Sequence, residues 1–223
     1  MWPNPDPCSR VVCCHHYDQA DYPTLWHLQR TLAEARRQGQ CSDQLILAEH
    51  TPVYTIGRSG HASDILIPPS IPVVYSDRGG RITYHGPGQL MVYLVWDMSG
   101  HSRQVRQLVQ QLEQVVQQSL AYFGITAHSN ERRPGLWVGA DKIAAIGLRI
   151  RQGVAYHGMA INRDPDLTAF DAIVPCGIRD AGVTSMTKLG FMTTREELEQ
   201  QILHAFRAIF DVTLITTCKP SSM

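Results

Sequence analysis

The chain has 223 residues, which is long enough to bury a substantial core without disulfide or metal staples. Lysine plus arginine equals aspartate plus glutamate at 20 each, so no net charge draws the whole molecule towards nucleic acid or a membrane surface. No segment approaches the roughly 18 apolar residues of a membrane helix, and the N-terminal residues lack a signal peptide's apolar core. We therefore expect one domain over residues 1–223, in the cytoplasm.

Apolar periodicity and turn residues predict a series of helices and strands. In chain order these are a strand at 10–15, a helix at 22–38, strands at 44–50, 53–57, 72–75 and 89–97, a helix from about 102, strands at 135–138, 142–151 and 154–162, a helix at 194–210 and a short final strand. Single helices among antiparallel hairpins indicate an α+β domain, with a mixed β-sheet flanked by helices.

Two of the predicted helices carry an apolar stripe on one side. In the first, the leucines face the core, Glu34 and the arginines face solvent, and Gly39 ends the helix. The other face of the second helix is largely glutamine and arginine, so both stripes predict packing against the sheet. The stripe residues are Leu25, Leu28, Leu32, Val105, Leu108, Leu112, Val115, Val116 and Phe123.

Four potential metal ligands occur in a row at Cys13, Cys14, His15 and His16. Adjacent side chains on a strand point to opposite faces, and zinc ligands are usually spaced by two or more residues. We therefore expect no metal here, but an N-terminal strand whose small cysteines face inward. The six cysteines of the chain form no CxxC pair, which favours reduced thiols over disulfides.

The segment 78–93 holds four glycines, a proline and a histidine in a sequence otherwise apolar enough for a sheet. Such glycines indicate either close approach of a ligand to the backbone or turns that need positive φ. One interpretation is a ligand site, and the other is a glycine-rich hairpin that joins the strands at 72–75 and 89–97.

Two downstream residues could take part in nucleophilic catalysis. Lys142 follows a turn at the edge of a strand of small residues, and Cys176 lies between Pro175 and Gly177. Alone, Lys142 is typical of a solvated charge and Cys176 of a small buried hydrophobe. Together they predict a Cys–Lys dyad for acyl transfer, because an ammonium raises the thiolate fraction and relays a proton. His85 and His157 stay open as rival bases or as pocket residues.

The chain resembles the lipoyl(octanoyl) transferases over about residues 10 to 210. The matching runs are Glu49-His50-x-Pro52-Val53-Tyr54-Thr55-x-Gly57-Arg58, Arg78-Gly-Gly-x-x-Thr83-Tyr84-His85-x-x-Gly88-Gln89-x-Met91-x-Tyr93, Lys142-Ile143-Ala144-x-Ile146-Gly147, His157-Gly158-x-Ala160-x-Asn162 and Pro175-Cys176-Gly177-Ile178. The sequence departs from the family pattern mainly at its two ends.

The resemblance implies the fold of biotin and lipoate protein ligases, and activity as a monomer without ATP or another cofactor. It implies an octanoyl donor on acyl carrier protein, and acceptor lysines on lipoyl domains of 2-oxoacid dehydrogenase E2 subunits and glycine cleavage H protein. It makes Cys176 the acyl-carrying nucleophile and Lys142 its activating partner. The substrate contacts it implies are Arg78, Gly79, Gly80, Arg81, Ile82, Thr83, Tyr84, His85, Ala145, Ile146, Gly147, Gly158, Met159 and Ala160.

An eight-carbon chain needs a narrow apolar slot, and small residues would provide its thin walls. Candidates for these walls are Gly79, Gly80, Gly86, Gly88, Ala145 and Gly147. Arginines near strand ends predict either a basic patch for an acidic carrier protein or simply solvated charges. These arginines are Arg132, Arg133, Arg149 and Arg151.

Two alternatives remain beside the transferase. A lipoate or biotin ligase that activates a free acid as its adenylate would share the glycine-rich segment and the lysine, but would not need the Cys176 thiol. A non-catalytic module that binds acyl groups or carrier proteins would keep the pocket alone.

Overall fold

The computed structural model describes residues 10–68, 70–98, 105–130, 134–174 and 182–216. The helices in these residues are α1 (Tyr22–Arg37), α2 (Val105–Tyr122) and α3 (Arg195–Phe210), with short 3₁₀ helices at Ala62–Asp64 and Leu167–Ala172. The strands are β1 (Arg10–Ala20), β2 (Asp43–His50), β3 (Val53–Ile56), β4 (Val73–Tyr75), β5 (Ile82–His85), β6 (Gln89–Asp97), β7 (His128–Ser129), β8 (Leu136–Val138), β9 (Asp141–Arg151), β10 (Val154–Asn162) and β11 (Val212–Thr216).

Within the described residues, eight strands form one mixed sheet in the order β11-β1-β2-β6-β10-β9-β8-β7. β1 runs parallel to both β11 and β2, while β6 is antiparallel to β2 and to β10. A smaller sheet has the order β4-β3-β5. This arrangement confirms the predicted α+β class with a mixed sheet flanked by helices.

The strand β6 shows how the large sheet separates two layers. Its residues alternate in direction, so Leu90, Val92 and Leu94 join the main core with α2 and α3. Met91 and Tyr93 point to the opposite face, where Leu25 of α1 packs. The helices therefore cover the two faces of the sheet, α2 and α3 on one side and α1 on the other.

The predicted helices are confirmed with small changes in their bounds. Asp21 caps α1 by accepting the Thr24 N–H at 3.0 Å, and Gly39 follows the helix at φ 72°. The prediction that the arginines of α1 face solvent is wrong for Arg36, which pairs with Asp43 and Asp97. Val105, which belongs to the predicted apolar stripe of α2, is 38% exposed and so lies outside the core.

The glycine-rich segment contains a strand that the sequence did not indicate. β5 pairs with β3 antiparallel, and β4 pairs with β3 parallel, so both belong to the small sheet. The interpretation of this segment as a hairpin between the strands at 72–75 and 89–97 is therefore wrong. By contrast, the hairpin of β9 and β10 is confirmed, and its turn places Gln152 and Gly153 at φ 50° and 82°.

The N-terminal strand places only one of its two adjacent cysteines in the core. Cys14 is buried in the main core, whereas Cys13 lies on the other face with its Sγ 3.2 Å from the Ser42 hydroxyl. His16 Nδ1 lies 3.0 Å from a Glu199 carboxylate oxygen. In the described ranges no three metal-ligating side chains come together, and no helix there is long and apolar enough to cross a membrane.

Candidate active site

A cavity of about 630 Å³ lies between the segment 78–85 and the strands β9 and β10. It is lined by Tyr22, Ser59, Arg78, Gly79, Gly80, Arg81, Ile82, Thr83, His85, Met91, Tyr93, Val105, Val109, Pro134, Lys142, Ala145, Ile146, Gly147, Leu148, His157, Gly158, Met159 and Ala160. The three segments that the resemblance implied as substrate contacts therefore meet at one site, together with Lys142 and His157.

Tyr84 is the predicted contact that does not line the cavity. On β5 it points away from the cavity into a separate apolar cluster, where its ring meets Phe170 edge-on at 5.6 Å. Gly86 and Gly88 do not line the cavity either. A side chain at Gly86 would collide with the Tyr84 ring, and one at Gly88 would collide with the backbone of Asp164. Glycine at these two positions therefore allows close local packing.

Sequence reasoning did not assign several lining residues. Met91 and Tyr93 belong to the matching run around Gln89, and their spacing of two could have indicated one face of a strand. The others come from distant elements and carried no local signal. The unassigned residues are Tyr22, Ser59, Met91, Tyr93, Val105, Val109, Pro134 and Leu148.

Glycines let the segment 78–80 lie directly on β9. The Gly79 N–H donates to the Leu148 carbonyl at 3.0 Å. A Cβ built on Gly147 would lie 2.9 Å from the Gly79 carbonyl oxygen, and one on Gly158 only 2.0 Å from the Val92 carbonyl oxygen. The backbone contact on β9 therefore requires glycine at both 79 and 147.

Arg78 is buried in the cavity wall and organises the backbone around it. Its guanidinium donates to the carbonyl oxygens of Thr55, Gly79 and Arg81 at 2.6, 2.9 and 2.6 Å. It also donates to the Thr55 hydroxyl at 2.9 and 3.0 Å. Five donors in a fixed fork suit this clamping of several carbonyls, so Arg78 holds the loop in place.

Lys142 lies at the start of β9 and is 8% exposed. Its Nζ donates to the Pro134 carbonyl at 3.1 Å and lies 4.7 Å from the centroid of the Trp137 ring. Its backbone pairs with the segment that follows residues 175–181, because its N–H donates to the Gly182 carbonyl at 3.0 Å. The predicted nucleophile Cys176 lies outside the described residues.

His85 is poorly suited to act as a base. Its Nδ1 lies 2.7 Å from Gln89 Oε1 and its Nε2 lies 3.2 Å from the Thr55 hydroxyl, so both ring nitrogens are engaged. Burial holds the pKa of His85 well below its usual value, which keeps the ring neutral. The Tyr22 ring stacks on it with centroids 5.8 Å apart. These contacts make His85 a structural part of the cavity wall.

His157 is tied to an ionised carboxylate. Burial alone would raise the pKa of Asp77, but donors on His157, Tyr156 and Trp26 outweigh it and hold that pKa at about 2. Burial lowers the pKa of His157, so the ring is neutral at pH 7 and donates from Nε2 to Asp77 at 2.9 Å. Its Nδ1 is buried and has no hydrogen-bond partner among the described residues.

The backbone at His157 is unusual for a strand. Its φ is 65°, and its N–H donates to the Gln29 side chain at 3.0 Å. A left-handed residue other than glycine costs free energy, which the surrounding contacts must offset. The Asp77 and Gln29 contacts supply that support and turn the ring into the cavity wall.

The predicted basic patch is described only in part. On β9, Arg149 is partly buried and Arg151 is exposed, whereas Arg132 and Arg133 lie outside the described residues. The two described arginines are two residues apart on one face of the strand that also carries Gly147.

The family of the chain follows from comparison with known proteins. Residues 21–207 match the lipoyl protein ligase A/B catalytic domain. An octanoyltransferase from Magnetococcus marinus is 45% identical over 91% of this chain and 95% of its own length. An octanoyltransferase from Alcanivorax borkumensis is 42% identical over 91% of this chain and 81% of its own length.

Solved structures show the same fold at much lower identity. Lipoate-protein ligase A bound with ATP superposes with a TM-score of 0.73 at 18% identity, over 94% of this chain and 88% of that one. Biotin protein ligase from Aquifex aeolicus superposes with a TM-score of 0.55 at 14% identity, over 91% of this chain and 70% of that one. The predicted fold is therefore confirmed, and the chain belongs to the octanoyltransferase family, a group of acyltransferases with the lipoyl protein ligase A/B catalytic domain.

Proposed function

We propose that this protein transfers an octanoyl group from acyl carrier protein to the ε-amino group of a lysine on a lipoyl domain. The observation that carries the proposal is the cavity, which brings together the glycine-rich loop, β9, β10 and Lys142. The acceptors would be E2 subunits of 2-oxoacid dehydrogenases and glycine cleavage H protein, as the family resemblance implies. Membership of the octanoyltransferase family supports this assignment over a ligase or a non-catalytic module.

In the proposed reaction, Cys176 carries the acyl group between donor and acceptor. Its thiolate attacks the donor thioester, and the carrier thiolate leaves with a proton from the Lys142 ammonium. The acceptor amine then attacks the Cys176 thioester, the Cys176 thiolate leaves, and Lys142 takes up the proton that the amine loses. Atoms and charge balance over the cycle, and no nucleotide is consumed.

The cavity wall suits an apolar chain that ends in a thioester. Met91 and Ala160, from the apolar cluster on the α1 face of the sheet, line it, while Gly79 and Gly147 bring backbone close. Burial of each methylene contributes about 0.8 kcal/mol, so a chain of eight carbons gains several kcal/mol from such a slot. We propose these residues as contacts of the octanoyl chain.

We further propose that the protein works as a monomer, as a single domain, and in the cytoplasm. Support for the monomer is the family resemblance, which implies activity as a monomer. Support for the cytoplasm is that Cys13, Cys14 and Cys41 are free thiols. Sedimentation of the purified protein at working concentration would test the monomer, and a dimer would contradict it.

The mass of the intact protein after incubation with octanoyl–acyl carrier protein tests the mechanism. We expect one added octanoyl group that hydroxylamine removes, and its loss on addition of a lipoyl domain. Cys176→Ala should stay unmodified and inactive, whereas Cys41→Ala, a matched change at a free thiol away from the cavity, should behave like wild type. A Cys176→Ala variant that transfers at the wild-type rate would contradict the acyl-enzyme.

The same assay distinguishes the alternatives. A ligase would require ATP with free octanoate and would not form the thioester from the carrier donor. A non-catalytic module would bind the donor and acquire no covalent mass. Transfer from the carrier donor in the absence of ATP is the result that we expect.

A further inference from the structure

Two residues of the matching runs, Gln89 and Asn162, have no role in the proposed reaction. Neither lines the cavity, and both are buried, with 2% and 5% exposure. They face each other on β6 and β10, and Gln89 Nε2 donates to Asn162 Oδ1 at 2.8 Å. A buried pair of amides away from the cavity points to a task in holding the site rather than in contacting substrate.

In one direction the pair connects to the cavity wall. Gln89 Oε1 lies 2.7 Å from His85 Nδ1, and His85 Nε2 lies 3.2 Å from the Thr55 hydroxyl. That hydroxyl accepts from Arg78 at 2.9 and 3.0 Å. A line of buried hydrogen bonds therefore starts at the guanidinium that clamps the segment 78–81.

In the other direction the pair connects to the backbone at Lys142. Asn162 Nδ2 donates to the Thr184 carbonyl at 2.9 Å. The Thr184 N–H in turn donates to the Lys142 carbonyl at 3.0 Å, and the Lys142 N–H donates to Gly182 at 3.0 Å. The line thus ends on the segment 182–184, which pairs with the first residues of β9.

The two ends determine the direction of every bond in between. Arg78 can only donate, and the Thr184 carbonyl can only accept. Asn162 must therefore turn its amide nitrogen to Thr184, Gln89 must accept from His85, and His85 must carry its proton on Nδ1. Its Nε2 then accepts from the Thr55 hydroxyl, so each group in the line has a partner of the right kind.

We propose that Gln89 and Asn162 are positioning residues for the transfer reaction. They hold the segment 182–184, and with it the backbone of Lys142, in a fixed place relative to the Arg78 wall of the cavity. This inference rests on the proposed function, because it assigns Lys142 a part in the reaction. Removing one member leaves two buried polar groups without partners, which is costly at low dielectric and favours a shifted segment.

Steady-state kinetics of Gln89→Met test the proposal, because methionine keeps the length of glutamine without its hydrogen bonds. We expect kcat for octanoyl transfer to fall about tenfold while KM for the octanoyl donor stays within about twofold, since neither Gln89 nor Asn162 lines the cavity. Gln44→Met is the matched control. Gln44 is also a buried strand glutamine, but it bonds His15 and Ser42 and lies away from the cavity.

A second pair of variants removes one hydroxyl from the line. Thr55→Val keeps the shape of the side chain and should lower kcat as Gln89→Met does, whereas Thr55→Ser restores the hydroxyl and should keep wild-type kcat. Nitrogen-15 NMR of His85 provides a readout that does not depend on activity. We expect the proton on Nδ1 in the wild type, and a change in its resonances in Gln89→Met.

Three results would overturn the proposal. They are wild-type kcat in both Gln89→Met and Thr55→Val, an equal loss in Gln44→Met, and a His85 proton on Nε2 in the wild type. If wild-type protein fails to transfer the octanoyl group, the proposed function is wrong. The NMR result then decides by itself whether the line of hydrogen bonds exists.

Discussion

The three candidate bases that line the cavity differ in how their nitrogen atoms are engaged. His85 and His157 are both buried and neutral, and each has a ring nitrogen engaged by a polar side chain. The Lys142 Nζ donates to the Pro134 carbonyl at 3.1 Å. We propose Lys142 as the proton relay, with His157 as the rival base, because the buried Nδ1 of His157 has no hydrogen-bond partner among the described residues.

Variants of Lys142 separate its charge from its proton transfer. Lys142→Ala should raise the apparent pKa for alkylation of Cys176 towards the free-thiol value of about 8.5. Lys142→Arg should retain part of the thiolate stabilisation and still transfer poorly, because a guanidinium does not give up its proton. The measurements are alkylation rate against pH and single-turnover transfer. An unchanged alkylation profile in Lys142→Ala would remove the lysine from the mechanism.

Asp77 is the residue that ties the loop to the sheet and to α1. Its carboxylate accepts from Trp26 at 2.8 Å, from His157 at 2.9 Å and from the Tyr156 hydroxyl. In Asp77→Asn only one oxygen can accept, so at least one buried donor loses its partner. We expect the free energy of unfolding in urea at pH 7 to fall by about 1–3 kcal/mol. Asp18→Asn, a matched change at an exposed site, should have no effect, and equal stability of both variants would contradict this role.

At the scale of elements, the short segment 78–85 belongs to both sheets of the molecule. Its first residues lie on β9 of the large sheet, and its last four form β5 of the small one. The cavity is the space beneath this bridge. Its width is therefore set by how closely the segment approaches β9, and the two facing glycines set that distance.

Gly147→Val tests the approach of the segment to β9. Because a Cβ at position 147 lies 2.9 Å from the Gly79 carbonyl oxygen, the loop must move and the slot must change shape. We expect octanoyl transfer to lose much more than butanoyl transfer, since the four extra methylenes are worth about 3 kcal/mol, or roughly 100-fold, in an intact slot. The ratio of kcat/KM for the two donors measures this. Equal losses with both donors would mean that Gly147 does not shape the acyl slot.

For the whole molecule, the main apolar core and the cavity lie in different places. The main core fills the face of the large sheet towards α2 and α3, whereas the cavity wall takes Met91 and Tyr93 from the α1 face together with Val105 and Val109 of α2. Buried polar groups concentrate around the cavity, where His85 and His157 line the wall and His50 contacts Tyr22 and Tyr93. The site therefore places several titratable groups in the interior.

These histidines should make stability depend on pH near neutrality. Burial lowers the pKa of His50, His85 and His157 in the folded state, so the unfolded chain binds more protons below about pH 6.5. Stability is fully present above that value and falls as the pH drops, by up to about 1.4 kcal/mol per pH unit for each histidine. Urea unfolding between pH 5 and 8 measures the slope.

Single variants assign that slope to the buried rings. His50→Gln should reduce this slope, because one of the three groups no longer titrates. His27→Gln, at an exposed position on α1, should leave the slope unchanged. Carboxyls with a lowered pKa in the folded state, such as Asp77 at about 2, lose their contribution below about pH 5, because the ordinary pKa of aspartate and glutamate is about 4. A flat stability profile from pH 8 to 5 would contradict the prediction.

Local pattern in the sequence determined the helices, most strands and the family. The spacing of apolar residues reports which face of an element is buried, and the matching runs lie on continuous segments, so both can be read without the fold. Membership of the octanoyltransferases and the α+β class were predicted in this way and are confirmed. The strand β5 was missed because its partner β3 supplies the pairing from elsewhere in the chain.

Only the tertiary structure decided which residues meet at the site. Gly79 and Gly147 are far apart in sequence, and the absence of a side chain at both lets the segment 78–80 contact β9. His157 and Asp77, which form a hydrogen bond, are 80 residues apart. Tyr84 points away from the cavity because successive side chains on β5 point to opposite faces. The sequence could not assign this direction, because it did not indicate the strand β5. Contacts of this kind depend on chain geometry over long separations, whereas periodicity carries information only about nearest neighbours on one element.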